Sequence, residues 1–155
     1  MRGPRGFSMI ELMAVLAIMA VFAWVSLPLA QATRERDRER ELQHALWQIR
    51  DAIDAYKHQS DTSGVLRDPA LSGYPPTLAD LVKGVPDPKS GGRIVYFLRR
   101  IPRDPFAPPE LAPEQTWGLR SFQSPATAPV AGADVYDVYS KAPGNGLNGV
   151  PFRNW

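Results

Sequence analysis

The chain has 155 residues, of which 18 are basic and 16 acidic, for a net charge of +2. That near balance gives no electrostatic pull toward nucleic acid, and the length allows one domain plus a short accessory segment. The chain contains no cysteine, which excludes disulfides, thiol catalysis and cysteine-ligated metals, and His44 and His58 are its only imidazoles. No nucleophile, base and orienting group lie together in the sequence, so an enzyme is not expected.

Glycine and proline divide the chain in two. Between Phe7 and Ser63 there is no glycine and one proline, Pro28; from Gly64 onward there are 10 glycines and 14 of the 16 prolines. These residues weaken a helix interior by roughly 1 and 3 kcal/mol respectively. The distribution predicts one long helix ending near residues 60–64, followed by a compact, loop-rich head.

In chain order, residues 1–6 form a short basic leader with Arg2 and Arg5. Residues 7–30 are predicted to be a membrane-grade helix, with an unbroken apolar run over 12–25 and a bend near Pro28. Glu11 stands at the front of that run, although a mid-membrane carboxylate costs roughly 2.5–3.5 kcal/mol. Residues 34–41, RERDRERE, alternate in sign, so on a helix every i,i+3 pair is opposite and every i,i+4 pair is like. Beyond them Leu42, Ala45, Leu46, Ile49, Ile53 and Tyr56 recur at helical spacing, with Arg50, Asp51 and Asp54 away from the stripe. This amphipathic continuation, residues 31–63, is expected to pack on a globular head over 64–155. His44 and His58 read as surface residues.

In the head, Tyr74-Pro75-Pro76 reads as an extended lead-in, Thr77 as a helix N-cap, and Leu78, Leu81 and Val82 as the buried face of a short helix. The prolines of LRRIPRDPF, residues 98–106, fix an irregular connector that Phe106 pins to the core. Residues 116–122 and 134–140 read as antiparallel strands, with Trp117 and Leu119 on one face of the first and Val135 and Tyr139 on one face of the second. Asp104 and Asp134 stand alone. The last stretch, 144–155, is a turn-rich tail whose Trp155 is expected to tuck back onto the sheet.

Three readings of the N-terminus compete. A cleaved secretory signal ending at Ala30-Gln31-Ala32 would have too long an apolar core and no place for a carboxylate. A plain single-pass anchor also leaves Glu11 unexplained. The third rests on GFSMIE, residues 6–11, which resembles the G-F-T-L-I-E signal of type IV pilins and type II secretion pseudopilins, with Ser8 and Met9 as departures. The elements GYPPTLADLV and LRRIPRDPF likewise resemble those of the major, G-type pseudopilin.

The resemblance implies an α+β, pilin-like fold: one long N-terminal helix packed on a small antiparallel sheet. It implies cleavage between Gly6 and Phe7 by prepilin peptidase, N-methylation of Phe7, and assembly through Phe7, Glu11 and Pro28. It also implies a single-pass protein of the bacterial inner membrane, its N-terminus cytoplasmic and its head periplasmic. The implied partners are copies of itself, other pseudopilins or pilins, an assembly platform and an ATPase. The arginines at 34, 36, 38 and 40 outnumber those of the leader and by the positive-inside count favour the reverse orientation, but the peptidase requires a cytoplasmic leader. Relatives often bind calcium in the C-terminal loop; here Asn145, Asn148 and Asn154 are the candidates, with no carboxylate beside them, and no cofactor is expected. The alternative is a minor pilin with an adhesive or DNA-binding role, using Arg93, Arg99, Arg100 and Arg103 beside Tyr96 and Phe97.

Overall fold

The computed structural model describes residues 8–63 and 72–155, and only the backbone of 23–31. Helix α1 (Met9–Ser63) is followed by α2 (Leu78–Lys83), then by the strands β1 (Val85–Asp87), β2 (Arg93–Val95), β3 (Trp117–Arg120) and β4 (Asp137–Ser140). Single 3-10 turns stand at Pro88–Ser90, Pro113–Thr116 and Phe152–Asn154. The chain divides into two compact units, Met1–Asp37 and Arg38–Trp155.

Within the second unit the apolar stripe of α1 builds the core. Leu42, Ala45, Leu46, Ile49, Ala52, Ile53 and Tyr56 are all buried, together with Leu78, Leu81, Val85, Leu98, Ile101, Trp117, Val135, Val138 and Phe152. Each large aliphatic side chain withdrawn from water in this way contributes about 1.5–3 kcal/mol. This stretch of helix is therefore held by the head rather than by its intrinsic propensity.

Helix α2 starts where its sequence says it should. Asp80 reaches back to accept hydrogen bonds from the Thr77 amide at 3.0 Å and the Thr77 hydroxyl at 2.7 Å. Leu78 and Leu81 face the core and Val82 is half-buried against it. The Leu81 carbonyl then accepts from both the Phe97 and Leu98 amides, at 3.1 and 2.9 Å, which docks the start of the proline connector on α2. Phe106, at the connector's end, stacks on Phe152 with ring centroids 4.5 Å apart.

The expected single sheet is, among the described residues, two separate antiparallel pairs, β1–β2 and β3–β4. The first pair is absent from the sequence reading. Its turn is built by Asp87, whose carboxylate accepts from the Lys89 amide and the Ser90 hydroxyl, and by Gly91 and Gly92 at positive φ. In the second pair Trp117 faces Ser140 and Leu119 faces Val138. The strand expected over 134–140, with Val135 and Tyr139 on one face, is corrected: Val135 precedes β4, and the buried strand residues are Val138 and Ser140. Tyr139 instead lies over Gly118, where a Cβ would collide with its ring.

Candidate functional site

The N-terminal functional residues are only partly described. Gly6 and Phe7, the expected cleavage pair, lie outside the described residues, as does the side chain of Pro28. The backbone stays helical through position 28. Glu11 sits in the first turn of α1, where unpaired amides favour a carboxylate. Around it Met9, Ile10, Leu12, Met13, Val15, Leu16, Ile18, Met19, Val21 and Phe22 are all exposed. Apolar residues thus cover every face of this segment, the pattern of a helix that is surrounded rather than one that lies on a surface. Among the described residues no helix is long and apolar enough to cross a membrane. The span expected over 7–30 includes Phe7 and the side chains of 23–30, which fall outside them.

In the head, two groups that the sequence separates prove central. Arg50, placed away from the buried stripe, is half-buried and reaches three acceptors. Its Nε donates to Asp137 at 2.8 Å, and its Nη2 donates to the Val138 carbonyl at 3.1 Å and the Trp155 main-chain oxygen at 2.7 Å. The other Asp137 oxygen accepts from Arg120 at 3.1 Å, and the Arg120 guanidinium lies 4.6 Å from the Tyr136 ring. One carboxylate thereby joins α1, β3 and β4, in the charge-assisted geometry that carries the most energy per contact.

Asp104 and Asp134 are not alone either. Asp104 is fully buried, accepting from the Ser140 hydroxyl at 2.6 Å and the Phe106 amide at 2.8 Å. Asp134 accepts from the Ser72 hydroxyl and, at 2.9 Å, from the Phe122 amide. Burial pushes the Asp134 pKa up, but the hydrogen bonds from Ser72, Phe122 and Ser121 outweigh it and hold the carboxyl below its ordinary value. Both carboxylates are taken up within the fold, each by a serine hydroxyl and a main-chain amide.

The basic cluster considered for nucleic acid does not come together as a stacking site. Arg93, Arg99 and Arg100 are exposed, but Arg103 donates to the Leu111 and Pro108 carbonyls. Tyr96 is exposed, whereas Phe97 turns inward against Tyr56, 5.3 Å away. His44 lines an open cleft of about 640 Å³ with Arg40, Glu41 and Arg100, while the His58 carbonyl accepts from Thr62. Among the described residues no three histidine, aspartate or glutamate side chains are grouped to hold a metal.

The tail's oxygens are engaged with the protein. Asn148 Oδ1 accepts from the Val150 amide at 2.9 Å, and Asn145 pairs with Pro151 in an isolated bridge. The Val150 carbonyl accepts from the Gly146 amide at 2.9 Å and from the Trp155 indole at 3.1 Å. Calcium takes six to eight hard oxygens, several of them carboxylates. The tail's own side chains offer none, and the Glu39 carboxylate that reaches it accepts from the Leu147 amide, so the donor set does not fit the ion.

Comparison with known proteins agrees with the N-terminal pattern. The prokaryotic N-terminal methylation motif matches residues 1–27. The type II secretion system core protein G of Aeromonas hydrophila is 24% identical over 111 residues, covering 70% of this chain and 71% of that protein. No solved structure matches the chain. The chain thus resembles prepilin-type proteins at its N-terminus and a G-type pseudopilin over most of its length.

Proposed function

We propose that the chain is a structural subunit of a type IV pilus-like filament and, within that class, a pseudopilin of a type II protein secretion system. The observation that carries this reading is the methylation motif over residues 1–27, with Gly6-Phe7 and Glu11 at its centre. Prepilin peptidase cuts between Gly6 and Phe7, and Phe7 receives an N-methyl group. Before assembly the protein sits in the inner membrane with its head in the periplasm. The apolar segment then passes from lipid into the centre of a helical polymer, through a heterologous contact that does not close into a ring. An inner-membrane platform and an ATPase drive that step, and other pseudopilins share the filament. The role is structural, not catalytic.

Cleavage creates a cationic amine at Phe7, near the depth of Glu11. The carboxylate of one subunit pairs with the amine of its neighbour, two charges that are costly alone and complementary together. Such a pair sets register more than it adds stability. Intact mass and N-terminal sequencing of the membrane-extracted protein test the processing; a chain starting at methylated Phe7 is expected, and one starting at Thr33 would overturn the reading. Glu11→Ala is expected to be processed normally while filament yield falls roughly tenfold or more, the cost of leaving a buried charge unpaired.

A further inference from the structure

We propose that helix α1 holds the C-terminal tail in a metal-independent clasp, with Glu39 fastening one end of the tail and Arg50 the other. Glu39 Oε1 accepts from the Leu147 amide at 2.6 Å, and Arg50 Nη2 donates to the Trp155 oxygen at 2.7 Å. The two side chains are eleven residues apart, three helical turns, so they project from nearly the same face with about 16 Å between them along the axis. Opposite charges therefore meet the two ends of the tail, an anion on a backbone amide and a cation on a backbone oxygen. Both are charge-assisted bonds.

Between those points the tail satisfies itself. The Phe152 amide returns to Gly144, the Gly149 amide to Gly146, the Asn154 amide to Pro151 and the Trp155 amide to Phe152. The Trp155 ring lies over Gly146, where a Cβ would strike it, and meets Phe152 edge-on at 5.3 Å. Asn148 Oδ1 and the Gly144, Gly146, Val150, Pro151 and Phe152 carbonyls, oxygens a cation could use, already accept hydrogen bonds. The helix supplies what a bound ion would otherwise provide, a fixed point to which an irregular segment is tied.

The clasp stands whether or not the chain polymerises, so its failure leaves the filament reading untouched. Hydrogen exchange of the full-length protein in detergent micelles tests it, with millimolar calcium and with a chelator. Exchange over 145–155 is expected to be the same in both conditions. Glu39→Ala is expected to speed exchange of the Leu147 amide roughly tenfold or more, as loss of a charge-assisted bond does. Glu39→Gln, whose amide oxygen still accepts, is expected to speed it less. Slower tail exchange in wild type on adding calcium, or an unchanged Leu147 amide in Glu39→Ala, would overturn the proposal.

Discussion

Residues 9–22 and 42–56 belong to the same helix and are both rich in apolar side chains, yet their surfaces have opposite fates. In the first stretch Met9, Leu12, Leu16, Ile18 and Phe22 are all exposed, on every side. In the second, Leu42, Ala45, Leu46, Ile49, Ala52, Ile53 and Tyr56 form one stripe that is wholly buried, while Trp47, Gln43, Gln48 and Asp51 face water. A stripe is covered from one direction, by the chain's own head; an all-round apolar surface needs neighbours on all sides, and one head cannot supply them. The angular distribution of apolar residues, more than their number, tells whether a helix is completed by its own chain or by something outside it.

Paired substitutions test that contrast most directly. Ile49→Ala is expected to lower the stability of the folded head by about 2–5 kcal/mol in urea denaturation, because the site is sealed. Ile18→Ala, at an exposed position, should change it by less than about 0.5 kcal/mol and show its effect in filament assembly instead. Equal losses from both would dissolve the distinction. Next in size is Ser140→Ala, which leaves one Asp104 oxygen without its hydroxyl partner inside the core; a loss of about 1–3 kcal/mol is expected. Asp80→Ala removes the back-bond that starts α2 and should cost about 0.5–2 kcal/mol.

The smallest effect is expected with pH. Asp134 has a pKa lowered in the folded head, so its contribution to stability is complete above its unfolded value, near 3.8. That contribution is lost as pH falls below about 3.8 and through the depressed folded value. A Ser72→Ala head should lose less stability over that interval than wild type, because its folded and unfolded values lie closer together. Parallel thermal-melting curves of the two proteins across it would contradict the assignment.

What the sequence made legible is what local pattern determines. The buried stripe of α1, the Thr77 N-cap of α2 and the anchoring role of Phe106 all follow from spacing and turn chemistry within a few residues. The β1–β2 hairpin also left a signal, Asp87-Pro88 and Gly91-Gly92 between two short β-rich runs, but three-residue strands containing Pro86 are too short to show a period. The start of β4 was misread for a different reason. Alternation counted back to Val135 assumes an unbroken strand, whereas the Val135 amide bonds the Pro75 carbonyl and the ladder starts only at Asp137. Arg50 and Asp104 could not be read at all, since their partners lie 87 and 36 residues away and only the fold brings them together.

The burial of Trp117 has a further, optical consequence. Its indole is sealed in the core and bonded to the Pro102 carbonyl at 2.8 Å, whereas Trp47 is exposed on α1 and Trp155 is half-covered by the tail. Residues 38–155 therefore hold three of the chain's four tryptophans, each in a different medium. A soluble quencher should silence Trp47 first, reach Trp155 in proportion to how far the tail lifts, and leave the short-wavelength emission of Trp117 until the core itself opens. Light alone can then separate fraying of the tail from loss of the fold.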